Sequence, residues 1–311
     1  MAKVGVDLGG TRIKVARVEG AEILNEHSVD TPAGGPRVVL EAVARAIKAV
    51  DPQPSAVGLA VPGEVDVNGV CYRLPNIDGF ENVNIAAILQ PLLNCPIWVE
   101  NDGNAAAHGE ALYGYGTTYR SFAMITLGTG IGGGLVFDRR VRTGSYGFAA
   151  EIGHLPIDAR EDAWPCGCGQ RGCVESYAGT LGLLRKYRAL GGSAEEIRTI
   201  ADAARRGEAA ALTTFEMMSW ALAQCVTILE NLLDLDAIVF TGGISGSFDL
   251  IEPALRKGVE ARAFAPPLAR VPLVVSELGA RAGSIGAAHL DLLKAPPPAG
   301  EARGAGGSPR R

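Results

Sequence analysis

His154, Cys166, Cys168 and Cys173 fall in one stretch with the spacing His-x11-Cys-x-Cys-x4-Cys. Three sulfurs and one imidazole nitrogen suit a closed tetrahedral zinc site with no position left open for catalysis. Gly167, Gly169 and Gly172 lie between the thiols, where the backbone must turn tightly to aim several sulfurs at one centre. The competing use of these thiols is a disulfide framework. Six cysteines in 311 residues, with no secretory leader expected, point instead to a reducing cytoplasm and to a structural metal. Glu151 and Glu175 bracket the cluster, so a metal that fixed this loop would also fix both carboxylates relative to a pocket. Cys71, Cys95 and Cys225 sit in apolar surroundings and are expected to be small buried hydrophobes.

A second group of candidates handles phosphate. Asp7-Leu8-Gly9-Gly10-Thr11 puts a carboxylate at the end of an apolar strand, followed by two glycines and a hydroxyl. Such a turn can hold a hydrated magnesium ion while its N–H groups approach phosphate oxygens, and Lys14 would add a charge. It reads equally as a plain hairpin turn. Residues 128–134, from Gly128-Thr129-Gly130 through Gly132-Gly133-Gly134, would be entropically expensive if nothing had to come close to them. They match G-x-G-x-x-G, but the chain continues into Leu135-Val136-Phe137, a strand where a dinucleotide site needs a helix. No glycine-rich loop ends in Gly-Lys-Ser or Gly-Lys-Thr, so a Walker A loop is absent. Asn101-Asp102 opens an alanine-rich helix. Asp102 either caps that helix or, kept ionised by the positive helix end, accepts a proton from a substrate hydroxyl. Singly, Asn76, Glu151 and Glu175 look like surface residues, and His27, His108 and His289 have no partner pattern.

These residues need elements to hold them. Val4, Val6 and Leu8 alternate as a strand, and Ile13 and Val15 follow on a second strand after the glycines. Residues 122–127, a wide glycine turn over 128–134 and a returning strand at 135–137 repeat that device, which suggests an internal duplication. Helices are expected over 38–50, 105–112, 209–233 and 282–293, with Ser193-x-x-Glu196 as a capping box before another. Strands are expected at 56–61, 97–99 and 237–241, the last delivering Gly242-Gly243. The alternation is that of an α/β protein. At 311 residues the chain exceeds what one core organises, so two domains are expected, and residues 294–311 read as a disordered tail. A net charge of -5 without basic clusters argues against nucleic acid, and no apolar run of spanning length argues for a membrane.

Taken in order, Asp7-Leu8-Gly9-Gly10-Thr11, Leu74-Pro75-Asn76, Val99-Glu100-Asn101-Asp102, residues 127–134, Glu151-Ile152-Gly153-His154 and Cys166-Gly167-Cys168-Gly169-x-x-Gly172-Cys173-x-Glu175 resemble the ROK family of repressors, open reading frames and kinases, from about Val4 to Leu293. The resemblance implies the two-domain sugar kinase, actin and heat-shock ATPase fold, which is ribonuclease H-like, with a cleft between lobes 1–115 plus 282–293 and 116–281. It implies ATP-dependent phosphorylation of a hexose at the 6-hydroxyl, glucose first, with N-acetylmannosamine, N-acetylglucosamine or fructose as alternatives. By the same resemblance Asp102 is the catalytic base, and Asn76, Asn101, Asp102, Glu151, His154 and Glu175 are the sugar ligands. His154 would bind zinc through one ring nitrogen and offer the other to the sugar. Gly9, Gly10, Thr11 and Lys14 form the first phosphate loop, Thr129 and Gly130 the second, and Gly242-Gly243 meets the adenosine. A homodimer or homotetramer is implied. Two other classes stay in view, a DNA-binding repressor and a sugar sensor without catalysis. The first strand at Val4 leaves no room before it for a helix-turn-helix, and Asp102 with both loops looks complete for catalysis.

Overall fold

The computed structural model describes residues 2–75 and 77–294, so the expectations for Asn76 and for a disordered tail fall outside it, Lys294 excepted. The chain opens with β1 (Lys3–Leu8), β2 (Arg12–Glu19) and β3 (Glu22–Asp30), followed by α1 (Gly35–Val50), β4 (Val57–Val61), β5 (Glu64–Val65), β6 (Val70–Arg73), β7 (Val83–Asn84), α2 (Ile85–Leu93), β8 (Ile97–Asn101) and α3 (Asp102–Tyr113). It continues with β9 (Phe122–Leu127), β10 (Ile131–Phe137), β11 (Arg140–Val141), α4 (Val174–Ala178), α5 (Thr180–Ala189), α6 (Ile197–Arg205), α7 (Ala209–Leu233), β12 (Ala237–Thr241), α8 (Phe248–Glu260), β13 (Leu273–Val275), α9 (Arg281–Ala288) and α10 (Leu290–Leu293).

Two sheets repeat one plan. The first has the order β3-β2-β1-β4-β8, and the second has β11-β10-β9-β12-β13. In each, an antiparallel meander is extended on the far side by two strands running parallel to the first. The duplication read from the glycine hairpins therefore extends to whole sheets. The central strands are buried on both faces and read as apolar runs, β4 and β12 throughout. β3 escapes the sequence pattern because it is an edge strand with mostly exposed side chains.

The two sheets are joined through α3 and α9, and glycine makes that junction close. A Cβ on Gly5 or Gly58 would overlap carbonyls of Ser284 or Ala287 in α9, and one on Gly109 or Gly286 would overlap the facing helix backbone. Ile285 and Ala288 pack with Ala16 and Val18, while Ala287 and Leu290 pack with Ala60 and Ala105. α7 is long and apolar enough by composition to cross a membrane, but most of that window is buried inside the molecule, as for a core helix.

Four local expectations are corrected. The turn between β9 and β10 is tight, and Gly132, Gly133 and Gly134 lie within β10. What comes close to them is α3 and its neighbours, since a Cβ on Gly134 would overlap Ala107 and one on Gly133 would overlap Ile152. Ser193 and Glu196 form no capping box, because Glu196 is itself the N-cap of α6 and makes no side-chain cap. α1 begins three residues early, with a proline in its first turn, where the missing N–H costs nothing. The last helix is broken at His289 into α9 and α10. His108 and His289, without a pattern in sequence, are buried at this break, where His108 Nε2 lies 3.0 Å from the His289 carbonyl.

Candidate active site

The candidate catalytic corner is where β8 becomes α3. β8 ends in Asn101, whose Oδ1 accepts from the Asn104 N–H at 3.1 Å and so caps α3. Asn101, not Asp102, is the cap. Its Nδ2 also donates to the Gly63 carbonyl at 3.1 Å, leaving one amide hydrogen and one lone pair for a ligand. Asp102 stands in the first helical turn, and its Oδ1 accepts from the Gly103 N–H at 2.8 Å. The residue as a whole is exposed, yet its carboxyl group is closely surrounded by protein atoms. Desolvation first, then the charges of Asp7 and Glu151, push its pKa up to about 7 against the lowering effect of the Gly103 N–H. Glu151 is raised in turn by desolvation, with Glu64 and Glu175 adding to the rise and His154 opposing it. Segments far apart in the chain thus share one electrostatic space.

Asp7 is the penultimate residue of β1 and faces Lys14 across the β1–β2 ladder, with Lys14 Nζ 3.4 Å from Asp7 Oδ2. The turn between them is pinned by the Gly9 N–H donating to the Arg12 carbonyl at 2.9 Å and by Thr31 Oγ1 donating to the Gly9 carbonyl at 2.7 Å. Gly10 is half-buried and Thr11 is exposed at the tip. The second glycine turn is held from outside: Thr180 Oγ1 donates to the Gly128 carbonyl at 2.9 Å, and the Ile131 N–H donates to Glu175 Oε2 at 3.0 Å. Gly130 sits so close to Glu175 that a Cβ there would overlap the carboxylate. Gly242 directly follows β12 at a φ of 90°, and a Cβ on it would overlap the Leu127 carbonyl beside the same turn. Gly243 borders open space. A cavity of about 190 Å³ joins Thr129 of this turn to Cys166 and Glu175, with Arg185 and Leu181 on its far wall.

The ligating atoms of His154, Cys166, Cys168 and Cys173 lie within 4.8 Å of one another. Cys168 Sγ and Cys173 Sγ are 3.8 Å apart, and Cys166 Sγ is 3.6 Å from His154 Nδ1. A tetrahedral zinc with ordinary bond lengths requires about 3.8 Å between sulfurs and about 3.6 Å between sulfur and nitrogen. The donor set therefore fits the ion, with Nδ1 on the side of the sulfurs. Burial first, then the neighbouring Cys166 and Cys168 thiols, push the Cys173 thiol up to about 12. Glycines at 169 and 172 take φ values of 89° and 75° to close the loop, and Cys166 Sγ reaches Glu175 Oε1 at 3.7 Å.

Several anchoring residues escape a reading of the sequence. Thr180 holds the second turn, Asp158 accepts from Tyr177 Oη at 2.6 Å beside the cysteine loop, and Glu100 is buried behind Asn101. Arg160 and Tyr177 hold Asp158 well below the usual carboxylate range. A carboxylate inside the apolar run of β8 was the one available signal, at Glu100.

Two sheets of duplicated topology, with acids at a strand end and a helix start, define an α/β protein of the sugar kinase type. The chain belongs to the ROK family, which it matches over residues 3–293. It is 35% identical to a glucokinase of Streptomyces coelicolor over 95% of this chain and 98% of that one. It is 31% identical to an N-acetyl-D-glucosamine kinase of Pasteurella multocida over 94% of this chain and 100% of that one. A ROK family glucokinase from Streptomyces griseus, solved with glucose and AMPPNP, superposes with a TM-score of 0.80 at 31% identity, covering 93% and 99% of the two chains.

Proposed function

We propose that this protein transfers the terminal phosphoryl group of ATP to the 6-hydroxyl of a hexose, glucose before others. The observation that carries the reading is that Asp7, beside the first glycine turn, and Glu151, which in turn feels the Glu175 that holds the second turn, both act on the charge of Asp102 from distant segments of the chain. The glucokinase relatives and the glucose–AMPPNP complex of the Streptomyces griseus protein support the same choice.

In this reading Asp102 orients the hexose hydroxyl and takes its proton. Asn101, Glu151, His154 through Nε2, and Glu175 bind the other hydroxyls, as does Asn76, which lies outside the described residues. A pocket of fixed polar groups rejects a wrong sugar because that sugar leaves some of them unpaired. Gly9, Gly10, Thr11 and Lys14 hold one side of the nucleotide phosphates, Thr129 and Gly130 the other, and Gly242-Gly243 meets the adenosine. Magnesium held near Asp7 would neutralise charge on the transferring phosphoryl group. Zinc on His154, Cys166, Cys168 and Cys173 is structural, fixing the wall that carries Glu175. The two lobes are residues 1–115 with 282–293 and 116–281, closing over the sugar to exclude water. The protein is proposed to be cytoplasmic, a homodimer or homotetramer, and without nucleic acid or membrane partners.

Steady-state ADP formation with ATP and a panel of glucose, fructose, mannose, N-acetylglucosamine and N-acetylmannosamine tests this. The expected result is the highest kcat/KM with glucose. A preference for an N-acetylhexosamine would move the assignment to that substrate, and no sugar-dependent ADP at all would leave a sensor.

A further inference from the structure

Glu100 is the penultimate residue of β8 and is 1% exposed, a carboxylate enclosed between the first sheet and α3. Its Oε1 accepts from the Asn101 backbone N–H at 3.0 Å and from Asn104 Nδ2 at 3.2 Å. It therefore grips the residue just before Asp102 and the residue two after it. Its Oε2 lies 2.5 Å from Lys294 Nζ, whose side chain is 20% exposed. Lys294 directly follows α10 and lies one residue beyond the stretch that matches the family. The contact is an ion pair outside hydrogen-bond geometry, and Oε2 has no hydrogen-bond partner among the described residues, so Lys294 is the cation placed to offset the burial of this carboxylate.

We infer that the Lys294–Glu100 pair is a positioning device that sets the strand-to-helix corner carrying Asp102, locking it from the end of the last helix. The inference rests on the proposed kinase reading and deepens it. Neither residue touches substrate in this account; each acts through Asn101, Asn104 and the direction in which Asp102 leaves the corner. The Asn101 side chain has its own anchors at Gly63 and Asn104, so sugar binding is expected to survive while alignment for transfer does not. A hydroxyl and a base misplaced by a fraction of an ångström lose rate more than affinity.

The test compares the full-length wild type with Lys294→Met, Lys294→Arg and Glu100→Gln in steady-state ADP formation with glucose and ATP, alongside thermal melting. Lys294→Met and Glu100→Gln should lower kcat about tenfold to a hundredfold. KM for glucose and for ATP should stay within about threefold of wild type, the pattern of an interaction expressed chiefly in the transition state. Lys294→Arg, which keeps the charge, should recover most of kcat. The double variant Glu100→Gln/Lys294→Met should be no worse than either single one, because the two act as a unit. A Lys294→Met protein with wild-type kcat overturns the inference. So does a loss that appears only as a raised KM, or one that Lys294→Arg fails to rescue. An inactive wild type removes the kinase reading and this inference with it, whereas an active wild type beside an equally active Lys294→Met removes this inference alone.

Discussion

Asp102 has a pKa pushed up to about 7, and that has two consequences of opposite sign. A general base works deprotonated, so kcat/KM for the hexose is expected to rise as pH climbs through about 7 and to fall on the acid side, measured across about pH 5.5 to about 8.5. Stability runs the other way. A carboxyl whose folded pKa is raised favours the fold in its neutral form, and this contribution is lost as pH rises through the folded value. Asp102→Asn, which keeps the shape and cannot ionise, should therefore gain in melting temperature relative to wild type at about pH 8 but not at about pH 4, while losing activity by about a hundredfold or more. A flat difference between the two melting curves would remove the electrostatic account. Gly130 offers a second residue test, because the overlap of a new Cβ falls on the end of the flexible Glu175 side chain and not on backbone. Gly130→Ala is expected to displace that carboxylate and to lower kcat/KM for glucose by about tenfold with little change in melting temperature. Equal loss with every sugar and nucleotide, together with early melting, would speak against a specific effect on Glu175.

The elements show why some of the site could be read from the chain and some could not. The His-x11-Cys-x-Cys-x4-Cys spacing pointed to a tetrahedral centre because four soft ligands within one loop have little else to do together, and their atoms do gather at distances that suit zinc. Elemental analysis is expected to find about one zinc per chain, lost in Cys166→Ser or Cys173→Ser. Chelation should weaken glucose binding before nucleotide binding, since the loop carries Glu175; an unchanged glucose affinity in zinc-free protein would contradict this. The glycines of β10 misled in a particular way. Their number signalled a close approach, but sequence carries no label for what approaches, and at Gly133 and Gly134 it is Ile152 and α3. β3, with its exposed side chains, and the Glu196 N-cap of α6 were hidden for a related reason: an edge strand and a helix start without a side-chain bond leave no periodic or capping signature.

The molecule as a whole repeats one sheet plan twice and crosses α3 over α9 between the copies. The paired hairpins announced this duplication, whereas the crossing could be found only in three dimensions, since Gly5, Gly58, Gly109 and Gly286 are scattered glycines until α9 is laid against them. Gly286→Ala puts a methyl group into the Ala105 carbonyl region of α3 and should destabilise the protein by about 3 kcal/mol or more, seen as a lowered denaturation midpoint. Wild-type stability there would mean that the junction has slack. The central claim is that the corner at Asp102 faces the hydroxyl that receives the phosphoryl group. A crystal structure of the protein with glucose and a non-hydrolysable ATP analogue measures this directly. Asp102 Oδ is expected within about 2.6 to 3.2 Å of the glucose 6-oxygen, with that oxygen opposite the leaving oxygen at the terminal phosphorus. A bound glucose whose 6-oxygen is turned away from Asp102 and held by another base would contradict it.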